Sequence, residues 1–215
     1  MHQGKFASSE AGIAIGPILF VIALLAILAA VTASDTGGFG VASIADRITA
    51  DVQSQASLIR TKINECNIKY GTSENGDGYP ASDTSNGTLV SALNCAGDPS
   101  GSQNLWNGLR PTTLPPPTQS FGAWHYINSN GAGLGGTATG GRCIWTAPSV
   151  SNPKANSGIV SGLEKAANKF THQTTCTDAA SCGVAEVIYD PASDSQKFIV
   201  WITIPTGSPD SHCLP

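Results

Sequence analysis

Charge disappears from the chain between Glu10 and Asp35, and within that gap residues 13–31 read IAIGPILFVIALLAILAAV. A run of this length meets the roughly 20 apolar residues a helix needs to cross a bilayer core. Further on the pattern becomes periodic. Over residues 41–68, Ile44, Ile48, Val52, Leu58, Ile59 and Ile63 recur near helical spacing, while Asp46, Arg47, Asp51, Gln53 and Lys62 fall elsewhere. That spacing predicts an amphipathic helix of several turns. The intervening DTGGFG carries Gly37, Gly38 and Gly40, which disfavour helix, so a break or stretched linker is expected there.

Beyond the helix the periods shorten. Residues 70–87 are turn chemistry and read as a loop, residues 88–93 as one helical turn, and residues 104–117, with LRPTTLPPP, as an extended connector. FGAWHYIN at 121–128 and RCIWT at 142–146 form a predicted hairpin with a wide, glycine-rich tip. A short helix is predicted over 157–172, with Ile159, Val160, Leu163, Ala166, Ala167 and Phe170 on one face and Ser161 and Glu164 at capping-box spacing. The clearest hairpin pairs 184–189 with 198–204 across a turn led by Asp190 and Pro191. Its alternating Val187, Tyr189, Phe198, Val200 and Ile202 supply a core for the amphipathic helix to cover. The predicted fold is α+β: one long amino-terminal helix packed on a small antiparallel sheet.

Composition narrows the function. With 215 residues, 11 Lys+Arg and a formal net charge of −4, the chain has no basic stripe to neutralise a phosphate backbone, so no nucleic-acid partner is expected. Cys66, Cys95, Cys143, Cys176, Cys182 and Cys213 all follow the apolar run, are even in number and lack metal spacing, which reads as disulfides in an exported body. Pairing is open; the short gap between Cys176 and Cys182 suits a local bridge, and Cys213 suits a tether for the tail. His125 is placed in a strand, His172 at a helix end and His212 in the tail, so no two histidines share a metal-ligand spacing. Glu74, Asn75 and Asp77 lack the alternation of a calcium loop, and Gly131, Gly133 and Gly136 lack the helix a phosphate-binding turn must open. Trp106, Trp124, Trp145 and Trp201 read as core, and Asp190, Asp194 and Asp210 as turn caps. No catalytic constellation, cofactor or metal is expected, and the chain is not read as an enzyme.

The segment SSEAGIAIGPILFVIALLAILAA, a short polar leader ending in Gly12 before an unbroken apolar helix, resembles the class III leader of type IV pilin-like proteins; it is also similar to the amino end of archaeal flagellins. The loop residues Tyr70, Gly71, Gly78, Tyr79 and Pro80 add to the likeness, as does a cysteine near the carboxy terminus. The resemblance implies a leader (1–12), a transmembrane and filament-core helix (13–34), a glycine break with an amphipathic helix (35–68) and a disulfide-bonded head (69–215). It implies cutting between Gly12 and Ile13 by a prepilin peptidase, insertion in the inner membrane, and extraction by assembly machinery into an extracellular filament of identical copies. Ile15, Pro17, Ile18, Leu19, Phe20, Ile22, Leu24, Leu25, Ile27 and Leu28 are then the packing residues, and Gly37, Gly38 and Gly40 the break. Pro17 stands where many bacterial pilins carry a glutamate, so that charge is missing; a cut after Lys5 would put Glu10 there but lacks the glycine. Pilus roles in adhesion, motility, secretion as a pseudopilin or DNA uptake stay open. Two other readings compete: a secretory signal cut before Ser34, and a plain anchor bearing a disulfide-bonded binding domain.

Overall fold

The computed structural model describes the backbone over residues 15–71, 78–82, 87–96, 104–107, 112–129 and 140–215, with side chains from residue 40 onward within those ranges. Two units divide the chain, Met1–Ala42 and Ser43–Pro215. Helix α1 (Ile15–Tyr70) runs through Gly37, Gly38 and Gly40 without the expected break. Each glycine costs about 1 kcal/mol relative to alanine, which lowers local helix stability but does not by itself end hydrogen bonding that continues on both sides. Pro17 falls in the first turn of α1, where a missing amide donor is tolerated.

In the second unit the buried stripe of α1 is Ala45, Ile48, Val52, Ala56, Ile59, Ile63 and Cys66, recurring every three or four residues. Ile44 departs from the expected core, being half exposed, and Lys62 departs the other way: its side chain is buried and pairs with Glu65 at 3.1 Å. A lysine stem covers apolar surface while its ammonium reaches a carboxylate at the rim.

The stripe packs on a six-stranded sheet made of β1 (Thr88–Leu89), β2 (His125–Asn128), β3 (Arg142–Thr146), β4 (His172–Gln173), β5 (Val187–Ile188) and β6 (Phe198–Thr203). The order is β1-β2-β3-β6-β5-β4, antiparallel throughout except for the parallel pair β4 and β5. The sheet is therefore mixed, and His172 opens β4, where a helix end was expected. Register aligns Tyr126, Ile144, Val200 and Val187 in one row. All four join the cluster that contains Ile48, Val52, Ile59 and Ile63 of α1. Tyr189, Phe198 and Ile202 join the same cluster, so the alternation read from the last hairpin places the core correctly. The residues that alternate with this row, Ile127, Cys143 and Trp201 in one row and Ile199 and Ile188 in another, form a second cluster on the opposite face, covered by Cys176, Cys182, Ala185 and Cys213. Period-two alternation thus puts helix on one face and disulfide-stapled chain on the other.

Helix α2 (Ser157–Ala167) buries Ile159, Leu163, Ala166 and Ala167 against the first cluster. Its cap is Asn156, whose side chain accepts from the amides of Gly158 and Ile159 at 3.1 and 3.2 Å; Ser161 and Glu164 lie inside the helix and form no capping box. Among the described residues a capping box forms at α3 (Ala179–Cys182), where Asp178 and Ser181 satisfy each other's amides. At 88–93 a short strand precedes a single turn of 3-10 helix, Val90–Ala92, so only its second half matches the expected turn.

Candidate functional site

The amphipathic part of α1 is fastened to the head along its length by polar pins as well as by core. Gln55, buried, accepts from Trp124 Nε1 at 2.7 Å and donates to the Pro116 carbonyl at 2.9 Å, tying α1 to the chain before β2. Arg60 donates to Glu186 at 2.6 Å, and Glu186 also accepts from the Thr171 amide at 3.4 Å, which joins α1 to the entrances of β4 and β5. The hydrogen bond from Arg60, with the nearby charge, holds the Glu186 carboxyl below its ordinary pKa against the opposing effect of burial. Lys165 reaches from α2 to Asp46 at 2.8 Å. Thr49 Oγ1 donates to the Gly162 carbonyl at 3.0 Å, and the two helices meet there at close range.

Where α1 and α2 approach the turn at 118–120, a groove of about 360 Å³ opens. Ile44, Ile48 and Ile159 line it with Arg47, Gln119 and Asn156. Ser120, at φ +71°, turns the chain here in a conformation rarely used outside glycine and asparagine. Arg47 donates to Gln119 Oε1 at 3.2 Å and lies 3.8 Å from Asp51, with 65% of its side chain exposed.

The face of the sheet away from α1 carries a second polar arrangement. His125 stacks on Trp145 with ring centroids 4.4 Å apart and planes 9° from parallel. Lys197 lies over the same indole at 4.7 Å and donates to the carbonyls of His212 and Leu214. Burial lowers the Lys197 pKa from 10.5 to about 8, and burial together with that ammonium lowers His125. Asp210 caps the tail's last turn through the His212 amide at 2.8 Å and pairs with the His212 ring at the same distance. With Cys143–Cys213, these contacts fix the carboxy-terminal strap across the sheet.

The predicted site residues fall into three groups. Gly12 and Ile13 lie outside the described residues, as do Glu74, Asn75, Asp77, Gly131, Gly133 and Gly136. Ile15, Pro17, Ile18, Leu19, Phe20, Ile22, Leu24, Leu25, Ile27 and Leu28 lie on the backbone of α1, with side chains outside the description. Among the described residues no helix is long and apolar enough to cross a membrane. The six cysteines come together as Cys66–Cys95, Cys143–Cys213 and Cys176–Cys182, so the local bridge and the tail tether are both formed. Trp106, Trp124 and Trp201 are buried as read, and Trp145 is partly buried under Lys197. The sequence places Arg47 on the polar side of the amphipathic helix without a groove beside it, and gives Lys197 no role. Lys197 shares its alternation with Ile199 and Trp201, which was a usable signal; the rim position of Arg47 depends on the distant turn at 118–120 and left none.

A disulfide-stapled α+β head built on the second part of a long amino-terminal helix is the class that the fold defines. No family model, characterised protein or solved structure matches this chain.

Proposed function

We propose that the chain is a structural subunit of a type IV pilus-like filament, cut after Gly12, held in the inner membrane by residues 13–34 and then polymerised outside the membrane by packing of those residues. The observation that carries this reading is the two-part character of the chain's amino-terminal part: α1 buries a narrow stripe in its own head from Ala45 to Cys66, while in the sequence residues 13–31 hold no charged or polar side chain. A helix apolar all round needs lipid or other apolar helices as its surroundings. A bundle of its own copies provides the second, and the pinned head is then displayed on the outside. Three disulfides suit a body exposed to an oxidising compartment.

Intact mass and amino-terminal sequencing of protein from its native host test the reading. A mature chain beginning at Ile13 supports it, whereas a chain beginning at Ser34, or one retaining Met1, overturns it. Leu24→Asp tests the packing: an unpaired charge among apolar helices should abolish filaments while leaving a folded, disulfide-bonded head. Abundant normal filaments from that variant would contradict the assignment of Leu24.

A further inference from the structure

The groove beside α1 is apolar at its floor and positive at its rim. Half of the Ile44 side chain stays exposed there, and Arg47 is held at the edge by Gln119 and Asp51. The adjacent acid, Asp46, is already taken by Lys165 at 2.8 Å. Along the sequence, Asp35 is the one charged residue between Glu10 and Asp46, and Arg47 is the first Lys or Arg after Lys5. The apolar segment therefore ends on a single negative charge, and the rim of the groove carries an arginine that is 65% exposed and only loosely paired with Asp51 at 3.8 Å.

We propose that the groove of one copy receives the end of the apolar segment of a second copy, with Asp35 of that second copy paired to Arg47. The inference rests on the filament reading and adds to it the device that sets axial register. Apolar helices in contact with one another gain similar van der Waals energy at many offsets, so packing alone specifies their axial position weakly. One polar pair in such a seam selects a single offset, and residues 13–34 contain no charge to do so. Copies in a filament repeat one heterologous contact in one orientation. By their spacing Leu28, Val31 and Thr32 share a helical face with Asp35, which matches an apolar-then-acidic edge to an apolar-then-basic groove.

The test uses the full-length chain in a host that assembles it. Asp35→Arg and Arg47→Asp should each lower filament yield by about tenfold by opposing like charges, and the two together should restore it to within about twofold. Asp35→Cys combined with Arg47→Cys should give a covalent ladder of subunits in oxidised filaments that reductant collapses. Normal yields from both single reversals, with no ladder, overturn the pairing and leave the filament reading intact. Loss in the single reversals with neither rescue nor ladder shows that the two residues act independently and also overturns the pairing. Absence of filaments from the unaltered chain overturns the filament reading, and the pairing with it.

Discussion

Lys197 keeps its ammonium against an indole face and two tail carbonyls, which support the charge, but its burial disfavours the charged form more strongly. Its pKa falls from 10.5 to about 8, chiefly through burial, with Asp210 pulling weakly the other way. Between those two values the unfolded chain binds more protons at this site than the folded one, so stability from this residue rises as pH climbs through that window. The urea midpoint of the wild type should therefore rise between pH 8 and 10.5 relative to Lys197→Met. Parallel curves for the two proteins would show that the lysine does not titrate in this way. Glu186 works in the opposite range. Its pKa is lowered mainly by the Arg60 hydrogen bond, so its contribution is present above the ordinary value of 4.5 and is lost as pH falls through the lower folded value. Both partners are about a third exposed, and solvent screening limits the pair to about 0.5–1 kcal/mol. Glu186→Gln should be less stable by about that much at neutral pH, and acid should close the difference. A gap that persists with full size in acid would mean that packing, not charge, is lost in the variant.

Between elements, the contact of α1 with α2 depends on missing side-chain atoms. A Cβ at Gly162 would stand 2.8 Å from Ile48 Cβ and 2.9 Å from the Ala45 carbonyl, both held by the core, whereas one at Gly158 would meet the half-exposed Ile44 at 3.2 Å. Gly162→Ala should cost about 1–3 kcal/mol in chemical unfolding despite alanine's better helix propensity, because the backbones must separate. Gly158→Ala should be near neutral, since Ile44 has room to move. Equal costs would place the clash elsewhere. Neither glycine stood out in the sequence, where each only interrupts a helical pattern; the need for close approach is a property of the partner helix. The same limit explains what was and was not legible. Alternation in Val187, Tyr189, Phe198, Val200 and Ile202 showed the core face because a strand's two faces follow from its own residues. The α2 cap was misplaced because Ser161 and Glu164 have the right spacing, yet Asn156 stands at the true start. The parallel pair of β4 with β5 was not visible either, since two-residue strands carry no period. Of the candidate site, the apolar helix was plain from composition, while the groove needed three segments distant in sequence to converge.

For the whole molecule, the disulfides divide the work of restraining a glycine-rich chain with few charges. Cys143–Cys213 closes a separation of 70 residues and holds the tail on the second core cluster; Cys66–Cys95 closes 29 and anchors the end of α1 to the connection between β1 and β2; Cys176–Cys182 closes only 6. If restriction of the unfolded chain dominates, the loss on removing each bridge follows loop length, at about 4, 3.5 and 2 kcal/mol in that order. Guanidinium unfolding of the three paired Cys→Ser variants measures this directly. The ranking matters for a displayed head, because the longest bridge is also the one that joins the tail to a central strand. Its removal should free the Lys197 contacts along with the strap, so the pH-dependent rise at Lys197 should vanish in the Cys143→Ser, Cys213→Ser protein and survive in the other two. A head that loses most stability with the local bridge would instead locate the stabilisation in the native packing of Cys176 and Cys182, both fully buried beneath the second cluster. In that case the pH rise at Lys197 should remain in the Cys143→Ser, Cys213→Ser protein, held by the strap's hydrogen bonds alone.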